Sequence, residues 1–68
     1  MSLQYKIDVL AALKAAGYNT TRLRKEKLLA EGVIQSLRDK KPISWANIAT
    51  LCKLLDMQVG DIIEYIPD

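Results

Sequence analysis

Thr20-Thr21-Arg22-Leu23-Arg24-Lys25-Glu26-Lys27-Leu28-Leu29-Ala30-Glu31-Gly32-Val33-Ile34-Gln35-Ser36-Leu37-Arg38-Asp39-Lys40-Lys41 is the stretch on which the reading of the fold turns. It holds two short helical patterns separated only by a few residues around Leu28-Leu29-Ala30. The first pattern, about 21–28, has few apolar positions, Leu23 and Leu28, and a basic outside, so it is a surface helix capped by Asn19 or Thr20. The second, about 31–40, can be sorted at 100° per residue. Ile34 and Leu37 fall on one side as anchors. Gly32, Gln35, Ser36 and Asp39 fall on the other, a polar face of small or hydrogen-bonding side chains. Pro42, which lacks an N–H, is expected to stop this helix.

Working outward, Val9, Leu10, Leu13 and Ala16 give one apolar face to a helix over about 4–16, which Gly17 ends as a left-handed cap. Ser44 is a good N-cap for a helix through Leu55, so that this element spans about 44–55. Trp45, Ile48, Cys52 and Leu55 recur there at helical spacing, and this most apolar helix is expected to centre the core, with Trp45 partly buried. A fifth helix is read over about 59–65. Ile62-Ile63-Glu64-Tyr65-Ile66 is β-branched enough to be a strand, but a lone strand would lack a partner in an otherwise helical chain. Residues 1–68 thus read as one all-α domain of five helices, and Met1-Ser2-Leu3 is given no functional weight.

Half of the 68 residues are apolar, with no Phe and four aromatic residues, a Leu/Ile/Val/Ala palette suited to helix-on-helix packing. One cysteine and no histidine argue against a disulfide framework, a zinc site and Ser/His or Cys/His catalysis, and Cys52 reads as a small core hydrophobe. Asp61 and Glu64 lie three apart, yet Asp61 is explained more simply by a helix N-terminus. The expectation is no enzyme, no cofactor, no metal and no small-molecule ligand. No apolar run approaches the ~18 residues of a membrane span and no signal peptide is evident, so a cytoplasmic protein without membrane contact is expected. Charge is uneven: residues 1–41 carry nine bases and four acids, a net +5, whereas 42–68 carry one base and four acids, a net −3. A basic half is what a polyanion-facing surface needs.

Two short helices with a tight connection, backed by two apolar helices, describe a helix-turn-helix on a small bundle. The segment Leu23–Tyr65 resembles the Cro and phage-repressor (XRE-type) family. The likeness is strongest from Ile43-Ser44-Trp45-Ala46-Asn47-Ile48 through Val59-Gly60-Asp61-Ile62-Ile63-Glu64-Tyr65, with its capped fourth helix, leucine pair and Gly-Asp-Ile start to the fifth helix. The resemblance implies a compact lambda-repressor-like fold with the helix-turn-helix at helices two and three, and sequence-specific binding of double-stranded DNA.

By that resemblance Glu31, Gly32, Gln35 and Ser36 take the base-reading positions, where Glu31 can accept from cytosine and Gln35 can pair with adenine. Thr20 and Thr21 would meet phosphate, with Arg22, Arg24, Lys25, Lys40 and Lys41 adding backbone charge. A charge run is by default a solvated helix face; the flanking architecture shifts this one towards DNA. Two positions depart from the family's pattern. Arg24 stands where a small residue is common, and is expected to lay its stem along the helix and reach a phosphate. Leu28 stands near the usual turn glycine, so the turn is expected to do without a left-handed glycine and the two helices to meet at an altered angle.

One such helix reads only a few base pairs, which implies a homodimer on two half-sites. Trp45, Ile63, Tyr65 and Ile66 are the candidates for its interface. The expected role is a small bacterial or phage transcriptional regulator, a repressor acting by operator occupancy. The competing reading is an adaptor or antitoxin that uses the same scaffold to grip a protein, for which a large apolar patch beside Trp45 or Ile63 would speak.

Overall fold

A computed structural model describes residues 2–67. The chain opens with an extended segment, β1 (Ser2–Tyr5), and the Asp8 carboxylate then accepts from the Ala11 N–H at 3.2 Å to start α1 (Val9–Ala15). The first helix is therefore shorter than the 4–16 read from the sequence. Gly17, at φ +96°, ends it as anticipated, with the Tyr18 N–H returning to the Leu13 carbonyl at 2.7 Å. Asn19, not Thr20, caps α2 (Thr20–Lys25) by accepting from the Arg22 N–H at 2.8 Å. α3 (Glu31–Arg38) follows after five residues, and Ser44 caps α4 (Trp45–Leu55).

Left-handed residues end these helices where no glycine stands. Lys27 (φ 55°) closes α2, Lys40 (φ 58°) closes α3 and Asp56 (φ 54°) closes α4. The Leu28 N–H returns to Leu23 at 3.0 Å and the Lys41 N–H to Ser36 at 2.7 Å, so the last-turn carbonyls are satisfied by the same reversal as at Gly17. The turn between α2 and α3 thus does without a left-handed glycine, as expected, and reverses instead through Lys27, one position before Leu28. α3 is ended by Lys40, two residues ahead of Pro42.

α5 (Val59–Ile62) is a single turn, after which Ile63 extends (φ −128°, ψ 146°) into β2 (Ile63–Ile66). The all-α expectation is corrected here, because β2 has a partner in β1. The two pair antiparallel, with Leu3 opposite Tyr65 and Tyr5 opposite Ile63. The rejected strand and the discounted first residues justify each other, since each satisfies the other's backbone.

Each helix contributes one side chain with no exposed surface: Leu13, Leu23, Ile34, Leu51 and Ile62. Val9, Leu29 and Leu37 complete the buried cluster. In α4 the inward line runs through Leu51 with Asn47, Ile48, Leu54 and Leu55 half-buried beside it, three or four residues either side. Trp45 lies about 120° round the helix from Leu51 and is 90% exposed, not core. Cys52 is half-buried against the cluster. No helix among the described residues is long and apolar enough to cross a membrane.

Candidate nucleic-acid interface

The placement of α3 follows from its two anchors. Ile34 and Leu37 are buried, so the opposite side of the helix is fixed outward. Glu31, Gly32 and Gln35 are exposed there, Ser36 is half-buried, and Arg38 and Asp39 continue the surface towards the C-terminal end. A Cβ built on Gly32 would meet nothing within 4 Å. The protein's own packing therefore gives no reason for a glycine on this face, although alanine would favour the helix.

The polar side chains are held to one another. Gln35 Nε2 donates to Asp39 Oδ2 at 3.0 Å, and Arg38 Nη1 donates to Gln35 Oε1 at 3.2 Å. Arg38 is thus part of this face, a position the sequence reading left out. Its place at i+3 from Gln35 on a polar helix face was the available signal.

Across the turn, Arg24 donates through Nη2 to Glu31 Oε1 at 3.0 Å and through Nε to Glu31 Oε2. The cation expected on a phosphate and the carboxylate expected on a base are each other's partners. Arg22 is likewise engaged: it donates to the Gly17 carbonyl at 2.9 Å, pairs with Glu26 through Nε, and lies 4.6 Å from the centre of the Tyr18 ring. The hydrogen bond and charge of Glu26 raise the guanidinium pKa further, so Arg22 stays charged while serving the α1–α2 junction. Thr20 is half-buried and Thr21 exposed at the start of α2. Lys25, Lys40 and Lys41 are exposed, and their ammonium groups make no hydrogen bond or ion pair among the described residues.

A two-helix unit with a buried hydrophobic back and a polar front, flanked by lysines, is the geometry of a helix laid into a major groove. A family model for the Cro/C1-type HTH DNA-binding domain matches residues 6–68. The chain belongs to that family. As a Cro/C1-type HTH domain it is a DNA-binding module. Comparison with curated proteins and with solved structures found no match.

Of the candidates on this Cro/C1-type domain, Glu31, Gly32, Gln35 and Ser36 lie together along α3, and Thr20, Thr21 and Lys25 lie on α2. Lys40 and Lys41 follow the end of α3. Trp45 opens α4, and Ile63, Tyr65 and Ile66 lie along β2, with Ile66 on the sheet face opposite Ile63 and Tyr65.

Proposed function

We propose that the protein is a transcriptional regulator that binds double-stranded DNA sequence-specifically, as a homodimer, and represses by occupying its operator. The observation that carries this reading is the outward face of α3. It holds a glycine that packing does not require, beside a connected Arg38–Gln35–Asp39 array, on a helix locked from behind by Ile34 and Leu37. Gly32 lets the backbone approach a groove, while Gln35 and Ser36 offer donors and acceptors to base edges. Arg38 suits the paired acceptors of guanine. Glu31 reads a base only by leaving Arg24, so it contributes less to sequence choice than Gln35 or Ser36. Thr20, Thr21, Lys25, Lys40 and Lys41 bind phosphate, which sets affinity and not sequence. Arg22 and Arg24 enter phosphate contact only at the expense of their internal partners.

One α3 spans a few base pairs. Two copies on half-sites ~34 Å apart supply the selectivity a regulator needs. The test is selection of bound duplexes from a random library with the purified protein and with Gln35→Ala, Ser36→Ala and Arg38→Ala. A palindromic motif that changes in the variants is expected. Weak binding without a motif, even at low salt, would overturn the reading.

A further inference from the structure

Between Leu37, buried in the core, and Ile43, half-buried against it, no side chain is buried. Arg38, Asp39, Lys40, Lys41 and Pro42 are all exposed. This stretch ends α3, reverses through Lys40 at φ 58° and carries Lys40 and Lys41 away from the helix. Side-chain packing does not hold it, so its hydrogen bonds decide where the two lysines stand.

Those bonds are few. The Lys40 N–H donates to the Leu37 carbonyl at 3.3 Å and the Lys41 N–H to the Ser36 carbonyl at 2.7 Å, both back into α3. Pro42 has no N–H to give. Among the described residues one bond reaches the reversal from outside α3: the Tyr5 hydroxyl donates to the Lys41 carbonyl at 2.6 Å. Lys41 is thus held at both ends, its N–H by α3 and its carbonyl by β1.

The donor is itself fixed. Tyr5 pairs with Ile63 across the ribbon, and its ring packs against the core. The next N–H, that of Lys6, donates at 2.8 Å to the carbonyl of Ile62, which has no exposed surface. Two clefts of about 380 and 260 Å³ flank the reversal, and Tyr5 and Lys40 line both. Open space on two sides gives the reversal room to move. The bond to Tyr5 removes that freedom.

We propose that Tyr5 is a positioning residue for DNA: by holding the Lys41 carbonyl it fixes the reversal, so that Lys40 and Lys41 meet phosphate without first having to be ordered. The proposal rests on the reading of these two lysines as phosphate contacts. Ordering a loose segment on binding costs entropy that a segment fixed beforehand does not lose again. Tyr5 precedes residues 6–68, the span matched by the family model, so β1 serves the DNA surface from outside the matched span.

The experiment is titration of a random-sequence duplex at several salt concentrations, which reads phosphate binding without an operator. The full chain and Tyr5→Phe are compared in three backgrounds: wild type, Lys40→Gln with Lys41→Gln, and Lys25→Gln. Phenylalanine keeps the ring on the core and removes only the hydroxyl, and circular dichroism at the titration temperature verifies folding. Tyr5→Phe is expected to weaken binding roughly 2- to 10-fold and to flatten the log–log salt slope by up to about 0.9 for each phosphate lost. It should cost little more once both lysines are glutamine. With Lys25→Gln, on α2, the two losses should multiply. A merely structural loss would be the same in all three backgrounds.

In the free protein, NMR order parameters of the Asp39, Lys40 and Lys41 N–H groups should fall in Tyr5→Phe. An equal loss of affinity in every background, no loss in any, or unchanged order parameters overturns the proposal. The DNA reading is judged on the wild type. A wild type that does not bind the duplex at low salt overturns both, whereas a binding wild type whose Tyr5→Phe loss ignores the two lysines overturns this proposal alone.

Discussion

Arg24 on α2 and Glu31 at the first turn of α3 are joined by two hydrogen bonds across the helix-turn-helix turn, with both side chains about half exposed. An exposed pair of this kind adds at most ~1 kcal/mol to stability. Its larger effect is on surface charge, because it cancels one cation beside α3.

Glu31→Gln therefore releases Arg24 to a phosphate. The log–log salt dependence of DNA affinity should steepen by about 0.9, affinity at low salt should rise, and the denaturation midpoint should hardly move. Titration of binding at several salt concentrations checks this. An unchanged slope would mean that Arg24 does not reach the backbone.

Gly32→Ala should stabilise the protein by roughly 0.5–1 kcal/mol, the ordinary helix gain, since the added Cβ meets nothing within 4 Å. On the proposed docking of α3 it should also weaken specific DNA binding, because the methyl group would stand between the helix backbone and the groove. Gly60, on α5, has the same open surroundings, and Gly60→Ala is the control: more stable, with DNA affinity unchanged. Urea unfolding and duplex titration of both variants separate the two effects.

Lys27 adopts φ 55° at the end of α2, a conformation that costs a side-chain-bearing residue about 1–2 kcal/mol. Lys27→Gly should recover part of this, about 0.5–1 kcal/mol, and raise the thermal midpoint by several degrees. Leu28→Gly should instead lower it, because Leu28 packs half-buried against the core. Calorimetry of the two variants tells which residue carries the turn.

The Tyr5 hydroxyl donates to the Lys41 carbonyl at 2.6 Å, tying β1 to the exit of α3. Burial raises the Tyr5 pKa above its usual value of 10, so the folded state keeps the phenol proton where the unfolded chain releases it. Stability from this group is complete below about pH 10 and is lost as pH climbs through the raised value. Unfolding free energy measured from pH 8 to 11.5 should fall more steeply for the wild type than for Tyr5→Phe, which should be less stable by about 1 kcal/mol at neutral pH.

The helix-turn-helix was legible because its signals are local. The i, i+3 spacing of Ile34 and Leu37 fixes which side of α3 turns inward, Gly17 and Ser44 mark a stop and a start, and the charge asymmetry places the bases on the α2–α3 side. Five helices and the composition of the α3 face follow from those spacings without any tertiary information. The resemblance to Cro and phage repressors, carried by the Ile43–Tyr65 pattern, is matched by the family model over 6–68.

What depended on the tertiary structure was every relation between residues far apart in the chain. The pairing of Ser2–Tyr5 with Ile63–Ile66 joins the two ends of the sequence, and no window along the chain contains both strands. The rotation of α4 that buries Leu51 and exposes Trp45 is set by the neighbours that receive the helix, since an apolar helix has more than one face it could bury. Arg24 found Glu31 instead of solvent because the turn brings α3 back to it, and the turn closes through Lys27, whose left-handed backbone is held by hydrogen bonds and not by its side-chain type. Local spacing determined where the five helices lie and which side of α3 is polar; long-range packing decided that the chain's first residues and 63–66 are strands and not helix, which polar groups are already spent and which apolar surface is left uncovered.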